Sequence, residues 1–209
     1  MSKYKTEQEH FWVGEFGEEY IQRNNSKNFL ASNIFFLAHA LKSADKINSC
    51  IEFGANIGIN LTAMNELYPN QEQYAIEINS IATKQLRRNL PNVTVIETSI
   101  LDFKNDSVKV CELALIKTVL IHINPNHLEN VYSKIRNSTS KYILIAEYYN
   151  PKPVSIPYRG YQEKLFKRDF CGELMEKYPE LALKDYGFIY HRDSVFPQDD
   201  ITWFLLQVV

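Results

Sequence analysis

The sequence is poor in residues that punctuate or cross-link a chain. Its 209 residues include seven glycines, eight prolines and three cysteines. Cys50, Cys111 and Cys171 are an odd number without a CxxC spacing, which argues against a disulfide scaffold and a zinc ribbon, so no metal is expected and a reducing cytoplasm suits the chain. Charge of one sign is also missing: 23 Lys and Arg face 25 Asp and Glu, a net charge of −2. Dedicated nucleic-acid binders carry a basic excess, so no nucleic-acid partner is expected. No apolar run approaches the roughly 18 residues of a membrane span, and residues 1–10 are too polar for a secretory signal. There is no internal repeat and no low-complexity tract. What the chain has in excess is aromatic residues, 13% of the total, among them 13 Tyr and 12 Phe. The length suits one domain over residues 1–209.

The spacing of Trp12, Phe16 and Tyr20 predicts a helical face, broken at Asn24, Asn25 and Ser26, and Phe29 to Leu41 reads as a second helix. Together they make an N-terminal helical cap over residues 1–45. From residue 50 short apolar runs alternate with amphipathic stretches. Strands are expected at Cys50–Phe53, Gln73–Ile78, Val93–Ile96, Leu113–Thr118 and Tyr142–Tyr148, with helices at Ile57–Tyr68, Ile81–Leu90 and from Pro125 to Asn137. This alternation specifies βαβ units and a parallel sheet. Pro151, Pro153 and Pro157 predict a surface loop over Asn150–Arg159, followed by a helix over Glu163–Lys177. This acceptor-side insertion spans about residues 150–180. Leu181–Tyr190 and Ile201–Val208 have no helix between them, so they read as a hairpin with the last strand antiparallel. The expected class is α/β: a Rossmann-like, doubly wound, seven-stranded sheet.

Chemistry concentrates at Glu52-Phe53-Gly54-Ala55-Asn56-Ile57-Gly58, where the first strand turns into the first helix. Gly54 permits positive φ and Gly58 permits close helix–strand packing. Glu77 ends the second strand, 19 residues past Gly58, where a carboxylate can accept both hydroxyls of a ribose. The pair reads as an adenosine site. A dinucleotide fingerprint needs a third, middle glycine, which is absent here. A nicotinamide-dependent oxidoreductase therefore stays an alternative that this gap disfavours, as does a non-catalytic binding protein that kept the fold.

The Glu-x-Gly-x-x-x-Gly turn with an acid ending the second strand resembles the class I S-adenosylmethionine-dependent methyltransferases. That resemblance implies S-adenosyl-L-methionine as cofactor. Gly54, Ala55, Asn56 and Gly58 would wrap its methionine part, with Glu52 beneath them. Glu77 and Ile78 would meet the ribose, and Ser99, Ile100 and Leu101 the adenine. Many relatives carry Asp where Ser99 stands, leaving the adenine amino contact to backbone or Asp102. Lys117, ending the fourth strand, would face methionine and acceptor.

A narrower likeness runs through Phe11-Trp12-Val13-Gly14-Glu15-Phe16, Leu120-Ile121-His122-Ile123-Asn124-Pro125, Ala146-Glu147-Tyr148-Tyr149-Asn150-Pro151, Ile156-Pro157-Tyr158-Arg159-Gly160 and Pro197-Gln198-Asp199-Asp200. These segments resemble the pseudaminic acid biosynthesis-associated methylases of bacterial surface-glycan and capsule pathways. The resemblance implies a small acceptor, a sugar or activated sugar or another capsule substituent such as a phosphate-type group. His122 follows strand four at the edge where ligands bind, and its ordinary pKa suits a general base. Glu147 and Tyr149 close strand five as further catalytic candidates. Tyr158, Arg159, Arg168 and Arg192 are candidates to hold an acceptor carboxylate or phosphate. Trp12, Phe16, Tyr20 and Arg23 read as a helix packed on the sheet or as a lid, with Arg23 reaching the methionine carboxylate.

Overall fold

The structure, a computed structural model, describes residues 4–23 and 27–209. The break expected at Asn24, Asn25 and Ser26, and the Arg23 side chain, lie outside the described residues. Two short helices, α1 (Glu7–Val13) and α2 (Glu15–Arg23), replace the single expected one, with Gly14 between them. Helix α1 opens on a capping box in which the Thr6 side chain accepts the Glu9 N–H and Glu9 accepts the Thr6 N–H. Helix α3 spans Lys27–Ala40.

The sheet follows: β1 (Ser49–Phe53), α4 (Ile59–Leu67), β2 (Glu72–Glu77), α5 (Ser80–Asn89), β3 (Thr94–Glu97), β4 (Cys111–Lys117), two single-turn helices at Leu120–His122 and Pro125–His127, α6 (Leu128–Asn137) and β5 (Thr139–Glu147). The expected strands and helices appear at these places with shifted ends. After β5 come β6 (Val154–Tyr158), β7 (Tyr161–Lys167), α7 (Phe170–Lys177), β8 (Leu181–Ile189) and β9 (Ile201–Val208). Seven strands order as β3-β2-β1-β4-β5-β9-β8, with β9 antiparallel to both neighbours.

The central strands are buried on both faces, as parallel strands between helical layers must be. Alternate residues feed two cores. Ile51, Phe53, Ala114 and Ile116 pack with Val131 and Ile135 of α6 and Leu174 of α7. Cys50, Leu113 and Leu115 pack with Leu37 of α3, Met64 of α4 and Trp203 of β9.

The 150–180 segment differs from expectation. Residues 154–158 form a strand, and the stretch from 163 to 167 continues β7 rather than starting a helix. Strands β6 and β7 pair antiparallel across a two-residue turn, Arg159-Gly160, both with positive φ. Pro157 sits at the register irregularity between Ile156 and Tyr158, where strand pairing tolerates a missing N–H. The helix begins only where Asp169 caps it by accepting the Gly172 N–H at 2.8 Å.

Trp203 is 1% exposed and fills the core between α3 and β9. Trp203→Ala is expected to lower unfolding free energy by about 3–5 kcal/mol, read from urea midpoints followed by circular dichroism.

Candidate active site

Two adjoining cavities open at the carboxyl ends of β1, β2, β4 and β5, the edge where doubly wound sheets bind ligands. The first is built on the turn after β1. Gly54 has φ +75°, and a Cβ there would lie 2.5 Å from Val119 Cγ2. Gly58 has φ +83° and packs on Leu86 and Leu90, where a Cβ would come within 2.9 Å. Both positions therefore require glycine. Asn56 between them also has positive φ, at 49°.

Glu77 fixes this turn. One carboxylate oxygen accepts the Asn56 N–H at 2.7 Å and the other the Asn79 N–H at 2.7 Å. Asn79 in turn caps α5 and donates from its amide to the Trp12 carbonyl at 3.0 Å. Burial raises the Glu77 pKa while these N–H groups oppose the rise. Gly54, Ala55, Asn56, Glu77, Ile78, Ser99, Ile100, Leu101 and Lys117 all line the first cavity. Gly58 lies behind the lining. Glu52 also does: 1% exposed, it accepts from Asn60 Nδ2 at 2.6 Å and so positions a lining residue.

Sequence reasoning missed Gln8, Glu9, Phe29 and Asn60, which also line this cavity. The Thr6–Glu9 capping pattern was legible, but its long-range contact was not: Glu9 accepts a hydrogen bond from the Ser99 hydroxyl. Ser99 is thereby joined to a carboxylate supplied by α1. Asp102, in contrast, is exposed, pairs with Lys5 and does not line the cavity. Helices α1 and α2 lie closed over the first cavity and leave it about 170 Å³, against about 380 Å³ for the second.

The cavities share a wall of five residues: Tyr20, Phe29, Lys117, Thr118 and His122. Trp12 stands against it, with its ring 5.3 Å from Tyr20 and 4.7 Å from His122. The Nδ1 atom of His122 lies 2.6 Å from the Lys164 carbonyl. A carbonyl only accepts, so Nδ1 carries the proton and Nε2 keeps a lone pair. Burial lowers the His122 pKa to about 4. His122, the expected general base, is thus placed as a neutral ring that presents the Nε2 lone pair.

Glu147 and Tyr149, the further catalytic candidates, line neither cavity. Glu147 is buried and accepts the N–H groups of Val119 (2.9 Å) and Leu120 (2.8 Å), so it positions the chain after β4. Burial raises its pKa to about 8. Tyr149 is 41% exposed and packs against Phe204. The neighbouring Tyr148 lines the second cavity instead and donates to Asp199 at 2.8 Å. Tyr158 and Arg159 also line that cavity. Arg168 does not; it pairs with Glu173 at 2.5 Å. Arg192 is exposed and lines neither cavity. Among the described residues no group of three or more His, Cys, Asp or Glu is placed to hold a metal, and no helix is long and apolar enough to cross a membrane.

The strand order, with a glycine turn after β1 and an acid ending β2, defines the class I methyltransferase fold. Solved structures agree. The mitomycin 7-O-methyltransferase MmcR superposes with TM-score 0.70 at 12% identity over 98% of this chain, which spans 61% of that one. The magnesium protoporphyrin IX methyltransferase of Synechocystis, with bound SAM, gives 0.66 at 9% identity, covering 100% of both chains. The plantazolicin methyltransferase BpumL, in complex with SAH, gives 0.65 at 13% identity, over 97% of this chain and 94% of that one. No protein-family model matches the sequence, and no curated protein does.

A histidine whose folded pKa is depressed makes the folded state bind fewer protons than the unfolded one. Its contribution is present above the ordinary value near 6.5 and is lost as pH falls towards about 4. The stability of the protein should fall faster than that of His122→Gln over this window, by roughly 3 kcal/mol at pH 4. Urea midpoints of both proteins at pH 7.5 and pH 4.5 check this; parallel losses would refute it.

Proposed function

We propose that the protein is an S-adenosylmethionine-dependent methyltransferase acting on a small acceptor. The observation that carries this reading is the Glu77 clamp. A carboxylate held by two backbone N–H groups retains lone pairs toward the first cavity, where a ribose presents two donors. The rest of the lining suits the cofactor. Ile78, Ile100 and Leu101 offer an apolar surface for adenine. The buried Asn60 Oδ1 and Gln8 Oε1 atoms have no partner among the described residues and can accept from the cofactor's amino groups. The Trp12, Tyr20 and Phe29 rings suit a cation such as a sulfonium.

When bound, the cofactor supplies an activated methyl group. The chain's share is alignment and proton handling. The Nε2 atom of His122 is suited to accept a hydrogen bond from an acceptor hydroxyl and so to orient it. Tyr158 and Arg159, on the β6–β7 hairpin, are suited to hold the far end of the acceptor. A cavity of about 380 Å³ lies in the range of small-molecule sites. With the likeness to pseudaminic acid-associated methylases, this supports a sugar or activated sugar of surface-glycan or capsule biosynthesis as acceptor, and a cytoplasmic setting.

Calorimetry should detect S-adenosylmethionine binding, and Glu77→Ala should weaken it by roughly tenfold to a hundredfold with the circular dichroism spectrum retained. Absence of binding at millimolar cofactor would overturn the reading. Mass spectrometry of a panel of nucleotide-activated sugars incubated with labelled cofactor should show a methylated product, and no product on any of them would remove the sugar assignment.

A further inference from the structure

Lys117 stands in the wall between the two cavities, at the end of β4, and only 8% of it is exposed. Its nearest neighbours from α3 are the rings of Phe29 and Phe36, 5.5 and 5.8 Å away at their centroids. The next residue, Thr118, has φ +54°, a strained backbone that a well-determined surrounding holds in place. An amine held against rings on a wall common to two cavities is placed to meet a ligand in either one.

The groups that face Lys117 come from several elements. Glu52 of β1 and Glu147 of β5 are buried, and Asp199 lies on the chain before β9; all three favour its charged form. His122 shares the wall but is neutral, and Tyr148 and Arg159 lie across the second cavity. Burial outweighs the three carboxylates and lowers the Lys117 pKa to about 8. That is close to working pH, where a proton acceptor is most effective.

We propose that Lys117 is the residue that takes the proton from the acceptor's hydroxyl, and that a sulfonium in the first cavity is what drives it to the neutral amine. The proposal rests on the methyltransferase reading. A second positive charge beside the wall disfavours an ammonium there. The loaded protein thus holds the base in its receptive form. The acceptor oxygen passes its proton to the Lys117 amine and bonds to the methyl carbon. The carbon–sulfur bond breaks with its electron pair left on sulfur, and the resulting ammonium returns the proton to water. His122 Nε2 orients the same hydroxyl and Lys117 removes its proton, so the two groups divide one task.

The test needs no acceptor. S-adenosylmethionine carries the sulfonium; S-adenosylhomocysteine has a neutral thioether and is otherwise alike. Calorimetric titration of each into the full chain at pH 8, in two buffers of different ionisation heat, counts the protons released. The charged form should release about half a proton more, the share of Lys117 still protonated at that pH. The difference should vanish in Lys117→Met, which removes the titrating group, and in Lys117→Arg, which keeps a charge that cannot be given up. Equal proton counts in the unmodified protein, or a difference that survives either substitution, overturns the proposal. An equal loss of affinity for both forms in Lys117→Met, with the proton difference unchanged, also overturns it and assigns Lys117 to the carboxylate both forms share. Binding of neither form ends the methyltransferase reading itself, whereas binding with equal counts ends only this inference.

Discussion

The site hangs on one carboxylate. Glu77 accepts the N–H of Asn56 and the N–H of Asn79, and so ties the turn after β1 to the start of α5. The first tie matters because three residues of that turn, Gly54, Asn56 and Gly58, hold positive φ at once. Such a turn keeps its shape only where its surroundings over-determine it. The second tie extends outward. Asn79 holds the Trp12 carbonyl and so seats α1 and α2 over the cavity. One buried carboxyl group, placed by the last residue of β2, therefore organises both the floor of the cavity and its cover.

The acceptor side is coupled to that cover. Lys164 of β7 pairs with Glu7 of α1 at 2.9 Å, and the Glu163 carbonyl accepts from Gln8 Nε2 at 2.9 Å. The same Lys164 offers its carbonyl to His122. Phe16 of α2 lies 5.6 Å from Tyr158 of β6 by ring centroid. The hairpin, the N-terminal helices and the wall histidine form one packed unit across the mouths of both cavities. An ion pair with the Glu7 side chain 80% exposed adds little stability by itself, so the aromatic contacts and buried amides carry most of the cohesion.

The sheet was legible in the sequence because its strands are near-continuous apolar runs bounded by helices of 3.6 period, a pattern few other folds produce. Gly54, Gly58 and Glu77 were legible because the turn needs those residue types at that spacing. The 150–180 segment was not. Its three prolines read as a loop, whereas Pro157 occupies an irregular rung of an isolated ladder, which local pattern does not reveal. The placement of Glu147 and Tyr149 was hidden for a related reason. Strand alternation says which residues share a face but not which of them reaches a cavity. Glu147 turned to the backbone of Val119 and Leu120, and Tyr148 rather than Tyr149 came to line the second cavity. His122 was found by position, but its proton affinity is set by burial beneath Trp12 and Tyr158, which are distant in sequence.

The carboxyl edge of the sheet also carries a cost that stability alone does not explain. Glu52, Lys117 and Glu147 are each buried at the ends of adjacent strands β1, β4 and β5. One oxygen of each carboxyl has no partner among the described residues, and the amine lies over the Phe29 and Phe36 rings. Replacing buried ionisable groups by apolar side chains of similar volume is often neutral or stabilising. A sheet selected only to fold would place apolar side chains at these positions, as β4 does at Leu115. Burial raises the carboxyl pKa values and lowers that of the amine, so desolvation works against the charged form of all three groups. Ionisable groups with perturbed proton affinity, gathered at the ligand edge of a sheet, are a feature of chemistry rather than of folding.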